Sequence, residues 1–239
     1  RPFTMELGGK SADIVFDDAD LDEAVKGAAI AAFSNNGQQC LAGSRILLQE
    51  GIAEAFIERF TAAAKSLKIG DPRKDGTQMG PLQSRAHMER VLSFVETARS
   101  EECRILAGGA RAAGFDRGFY IDPIVVEAPS NAAAVCQDEI FGPFATILRF
   151  KTAEEAVDIA NASPFGLVGY VWTRDIGRAQ EVTRRLRAGV VWVNTSMMRE
   201  LRAPFGGYKA SGVGREGGEA CAQLFTEEKT VTHRVLSPR

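Results

Sequence analysis

The sequence is short of the residues that build metal centres. Its 239 residues include two histidines, His87 and His233, and four cysteines, none in a C-x-x-C pair. That pattern supports no metal site, and at this length it gives no disulfide framework. No apolar run approaches the ~20 residues that span a bilayer, so no membrane association is expected. Charge of one sign is lacking too. The net is −2, which gives neither nucleic acid nor an anionic membrane surface an electrostatic handle. No stretch reads as a secretory signal, so a reducing, cytoplasmic setting is expected. Hydrophobic residues make up 45% and charged residues 25%, the composition of a globular protein with room for one large domain.

What is present is an alternation of strand-like and helix-like segments. Strands are predicted at 12–16, 45–49, 104–106, 120–126, 145–150, 168–172 and 190–193. Helices are predicted at 21–33, 52–67, 84–99, 153–162 and 175–187. Asp20 reads as the N-cap of the first helix, with Glu23 three residues on. Residues 52–67 place Ile52, Phe56, Phe60, Ala63 and Leu67 on one face. Short strands separated by helices of ten or more residues predict an α/β fold, a mostly parallel open sheet with helices on both faces. After Asn194 the rhythm stops. A long glycine- and arginine-rich loop, 195–218, leads to a short helix at 218–225. A last strand at 230–235 is expected to serve oligomerisation.

Chemistry concentrates in loops. Cys40 closes the bend Asn36-Gly-Gln-Gln-Cys40, a polar setting for a reactive thiol, and the amides around Gln39 and Cys40 could face an oxyanion. Glu6, 34 positions upstream, opens Glu6-Leu-Gly-Gly-Lys10, where the glycines allow close backbone approach. A thiol and a carboxylate in separate loops suggest covalent catalysis and base-assisted hydrolysis. Glu139 and Phe141 in Glu139-Ile-Phe-Gly-Pro143 suit a ribose diol and a flat heterocycle. Arg199 and Arg202 have the shape for a substrate carboxylate. Each also has a plain structural reading: a buried thiol, a surface glutamate, a core ring, solvated charge. Gly212-Val-Gly-Arg-Glu-Gly217 matches G-x-G-x-x-G but opens no βαβ unit, so it reads as a loop passing close to other backbone.

Together these stretches resemble the aldehyde dehydrogenase superfamily. They are Glu6-Leu-Gly-Gly-Lys-Ser11, Asn36-Gly-Gln-Gln-Cys40, Glu139-Ile-Phe-Gly-Pro143, Trp192-Val-Asn194 and Pro204-Phe-Gly-Gly-Tyr-Lys-Ala-Ser-Gly-Val-Gly-Arg-Glu216. They stand in the family's order across nearly the whole chain. The resemblance implies Cys40 as nucleophile, Glu6 as general base and NAD, or NADP, as cofactor. It also implies that Glu139 contacts the nicotinamide ribose, with Phe141, Leu7 and Gly8 beside the nicotinamide and Asn194 near the substrate. An aldehyde would add to the Cys40 sulfur, hydride would pass to the cofactor, and water activated by Glu6 would release an acid.

The match implies a catalytic domain over 1–217 and a C-terminal helix and oligomerisation strand over 218–239. The nucleotide-binding domain is absent from the chain, so the isolated chain is expected to be weakly active. A homo-oligomer, dimer or tetramer, is expected. The loop at 194–207 looks most like the subgroup oxidising (carboxymethyl-)hydroxymuconate semialdehydes of aromatic catabolism, whose carboxylates Arg199 and Arg202 would meet. A general aliphatic or succinic semialdehyde dehydrogenase, and a non-catalytic assembly module, are the alternatives.

Overall fold

The Asp20 carboxylate accepts the Glu23 N–H at 3.3 Å and starts the first helix where the sequence places it. In this computed structural model, which describes residues 3–236, a short strand Met5–Glu6 (β1) leads to Ala12–Val15 (β2) and then to Leu21–Phe33 (α1). Arg45–Gln49 (β3), Glu50–Ser66 (α2) and Arg85–Ser100 (α3) follow, then the strands Arg104–Ala107 (β4) and Ile124–Glu127 (β5). Next come Ala134–Gln137 (α4), Phe144–Phe150 (β6), Ala153–Asn161 (α5), Phe165–Gly166 (β7) and Val168–Trp172 (β8). Ile176–Arg185 (α6), Val190–Val193 (β9), Tyr208–Lys209 (β10), Gly212–Val213 (β11) and Gly218–Phe225 (α7) complete the order.

The main sheet runs β4-β5-β6-β3-β2-β8-β9, and every pair is parallel except β4 with β5. Its strands are apolar on both sides, as a sheet covered on both faces requires. Ile14, Leu47, Ile124, Phe144 and Leu148 pack toward α3, α5 and α6. Val15, Ile46, Leu48, Val125 and Ile147 pack toward α1 and α2, where Phe56 and Phe60 are wholly buried. Ala63 and Leu67 sit at the margin of that core.

Strand order places the chemistry. Residues 6–10 run into β2, 38–44 into β3 and 139–143 into β6. These three strands are parallel neighbours, so their incoming loops share the N-terminal edge of the sheet. Open α/β sheets more commonly bind ligands at the opposite, carboxyl edge.

Two strand expectations need correction. The segment at 120–126 becomes a strand only from Ile124, because Ile121 bridges Arg111 and the Asp122 N–H bonds the Ala110 carbonyl. The expected strand at 230–235 is not formed. Residues 226–236 carry no ladder and are exposed; they do not reach either edge strand of the main sheet, β4 or β9, and an unpaired segment forms no strand. The rest of the expected 218–239 unit, residues 237–239, lies outside the described residues. No helix among the described residues is long and apolar enough to cross a membrane.

Candidate active site

Cys40 and Glu6 meet. The Cys40 Sγ–H lies 3.6 Å from Glu6 Oε2, although the two residues enter different strands. What holds Glu6 is the glycine-rich loop. β1 pairs antiparallel with β11, Glu6 opposite Gly212, and the Leu7 N–H donates to the Ser211 carbonyl at 3.0 Å. A Cβ on Gly212 would stand 2.2 Å from the Met5 carbonyl oxygen, so this motif does pass close to foreign backbone. Ser211, wholly buried, accepts the Gly166 N–H through its hydroxyl and fixes the loop's other side.

Cys40 is fixed from behind. The Tyr170 hydroxyl donates to the Leu41 carbonyl at 2.7 Å. Cys40 packs against a small cluster built on Leu41, Leu167, Tyr170 and Trp192, which Met197 and Phe205 also flank. Gly9 crosses directly behind it: a Cβ there would lie 2.3 Å from the Cys40 carbonyl oxygen. Burial and then the Glu6 charge and hydrogen bond push the thiol up to about 11, while the Cys40 and Leu41 amides act in the other direction. At neutral pH the sulfur is therefore a thiol that donates to a carboxylate. Glu6 Oε1 is buried and lacks a partner among the described residues, so the carboxylate has a second face toward them that no bond occupies.

The third loop closes the group. Glu139 Oε1 accepts the Gly9 N–H at 3.0 Å, and a Cβ on Gly8 would stand 2.2 Å from Glu139 Oε2. Burial raises the Glu139 carboxyl above its usual range, against the Gly9 bond and the charges of Lys10 and Arg90. Phe141 adopts φ +61° and is 40% exposed, and Leu7 is 43% exposed. A carboxylate at a bare backbone, flanked by two uncovered apolar side chains, fits a flat heterocycle with an attached diol.

α3 grips this loop by its backbone, which the sequence did not foretell. Arg90 donates to the Glu139 and Ile140 carbonyls at 2.9 and 2.6 Å, and His87 Nε2 bonds the Phe141 carbonyl at 2.6 Å. Their i, i+3 spacing puts His87 and Arg90 on one helical side, but nothing in the sequence says what that side faces.

A family model described as "Aldehyde dehydrogenase family" matches residues 1–231. This chain belongs to the aldehyde dehydrogenase family. A betaine aldehyde dehydrogenase of Cereibacter sphaeroides is 45% identical over 97% of the chain and 47% of its own length. The crystal structure of a putative aldehyde dehydrogenase from Burkholderia cenocepacia superposes with TM-score 0.90 at 48% identity, over 93% of this chain and 46% of that one. The NAD+ complex of a Bacillus cereus aldehyde dehydrogenase superposes at 0.91 with 39% identity, over 95% and 46%. The chain thus spans about half the length of the curated relatives it matches.

Not every residue singled out as a site in this aldehyde dehydrogenase chain joins the group. Asn194 follows the carboxyl end of β9, on the edge opposite the catalytic loops. Its amide accepts the Thr173 N–H at 3.0 Å and donates to the Thr173 carbonyl at 2.8 Å, so it clips two strand ends together. Its side-chain amide is thus occupied by Thr173 rather than turned toward Cys40. Arg202 forks onto Glu200 and is not among the residues lining the neighbouring cleft. Arg199 does line that cleft, about 330 Å³ in volume, with its guanidinium 5.7 Å from the Phe205 ring centre. Trp192, Phe205, Met198, Glu200 and Glu216 share the lining.

Proposed function

We propose that this chain carries the catalytic machinery for oxidising an aldehyde to a carboxylic acid with NAD or NADP. The observation that supports it most is the Cys40 thiol aimed at Glu6, with Glu139 and Phe141 alongside. Glu6 takes the thiol proton, and the thiolate adds to the aldehyde carbon to form a C–S bond. The Cys40 amide supplies a backbone donor for the oxyanion. The nicotinamide, when bound over Gly8 and Phe141, supplies a hydride acceptor. Cys40 then holds a thioester. Glu6, having released its proton to solvent, takes one from water, which attacks the thioester and frees the thiol.

The reading is tested in the polypeptide that contains this chain. Glu6→Gln should accumulate an acyl adduct on Cys40, visible by mass spectrometry, with turnover lowered by about 10²–10⁴. Cys40→Ser should give neither adduct nor turnover. An adduct on any other residue would refute the assignment.

For the substrate we propose a carboxylated semialdehyde of the kind produced in aromatic ring cleavage. Arg199 lines the cleft that borders the Cys40 cluster and makes no carboxylate contact among the described residues. Arg202 can join it only by leaving Glu200. A second reading has its own support: Trp192 and Phe205 with Glu200 and Glu216 also suit a cationic aldehyde, as the betaine aldehyde relatives' name suggests. Arg199→Ala should lower kcat/KM for a carboxylated aldehyde about 10- to 100-fold and raise or spare it for a trimethylammonium one. Equal losses for both would remove the carboxylate reading.

A further inference from the structure

Beside the catalytic loops, a second small cleft collects positive charge that its lining does not neutralise. It lies among the starts of β2 and β3, the beginning of β8 and the turn after α6. Its volume is about 20 Å³, room for one particle of water size. Lys10, Arg45 and Arg187 line it, and no carboxylate does. Lys10 and Arg45 are 2% and 1% exposed. Three donors of the lining have no partner among the described residues: the Lys10 ammonium, the Arg45 Nε–H and the Ser11 hydroxyl. The other Arg45 donors reach only neutral oxygens, those of Asn131 at 2.7 Å and of Ile159 and Ala160 at 2.8 Å. Lys209 adds a fourth cation nearby, bonded to the Asn161 and Ser163 carbonyls. The Cys136 thiol, then Asp138 and Glu139, act on Lys10 through space, and Cys136 on Arg45 too, yet none of them bonds either cation among the described residues.

A buried cation with no acceptor is expensive to maintain. A water molecule here would answer the hydrogen bonds and leave the charge. Room for one particle of water size suits a single small anion better than a carboxylate or phosphate. We propose that the cleft is a binding site for a monoatomic anion of halide size, held by Lys10 and Arg45 and closed from outside by Arg187. The proposal is independent of the aldehyde that the catalytic site takes.

Bromide is the probe. Crystals soaked in sodium bromide and measured at the bromine edge should show an anomalous peak in contact with Lys10 Nζ and Arg45 Nε. In solution, bromide at about ten times its Kd should raise Tm by roughly 2–4 °C over sodium gluconate at equal ionic strength. Lys10→Met should abolish that difference. If that variant does not fold, Arg187→Gln, at an exposed position, should reduce it. Density without anomalous signal at the cleft, or an undiminished bromide response in a folded variant, would overturn the proposal.

Discussion

Glu6 acts on Cys40 in two opposed ways, as proton acceptor and as a repelling charge. The repulsion and the burial together hold the thiol at about 11. Glu6→Gln removes the charge, so the pH profile of Cys40 alkylation by iodoacetamide should move to lower pH even as turnover falls. A profile that stayed in place would mean that burial alone sets the thiol. Asp13 is a second residue with a readable consequence. It is wholly buried, one oxygen accepting the Trp172 indole N–H at 2.9 Å and the other unpartnered. Burial raises its carboxyl from 3.8 to about 7. The folded state therefore holds a proton that the unfolded state has lost between those values, and stability declines as pH rises from about 4 to 7. Asp13→Asn keeps the acceptor for Trp172 and should remove that decline. In denaturant melts, wild-type stability should fall by roughly 3 kcal/mol between pH 5 and pH 8 relative to that of Asp13→Asn.

At the scale of elements, the contact between α3 and the loop entering β6 matters most. Three successive carbonyls, from Glu139 to Phe141, are held by Arg90 and His87. The left-handed φ of Phe141 persists because its neighbours determine it. Arg90→Met should free the loop, raising KM for the nicotinamide cofactor roughly tenfold while kcat changes less and the helix signal stays constant. A loss confined to kcat would show that Arg90 acts elsewhere. Helix ends were well marked in the sequence, because caps are local: Asp20, Ser84, Thr152 and Asp175 each accept an N–H of the first turn. The two-residue ladders β1–β11 and β7–β10 had no such mark, since partners some 200 and 40 residues away create them.

For the whole molecule, the open question is what covers its apolar fringe. Phe225, at the end of α7, and Val231, Val235 and Leu236, in and just after the stretch where a strand was anticipated, are exposed. Pairing with a second copy would supply the missing edge. Deleting residues 226–239 from the polypeptide that carries this chain should then lower its mass in light scattering from that of an oligomer to that of a monomer. An unchanged mass would place the contact elsewhere.

The sequence by itself determined the parallel α/β plan and the positions of its longer helices, and it singled out Cys40, Glu6, Glu139 and Phe141 as candidates. These rest on local periodicity, caps and ordered motifs. Only the tertiary structure decided that Cys40 faces Glu6, that Gly9 must lack a side chain, that Asn194 clips Thr173, and that Lys10 and Arg45 share a cleft with no carboxylate among its described lining residues. The reason is strand order. β2, β3 and β6 become neighbours through long crossovers, and residues distant in the chain meet only after that sheet has formed.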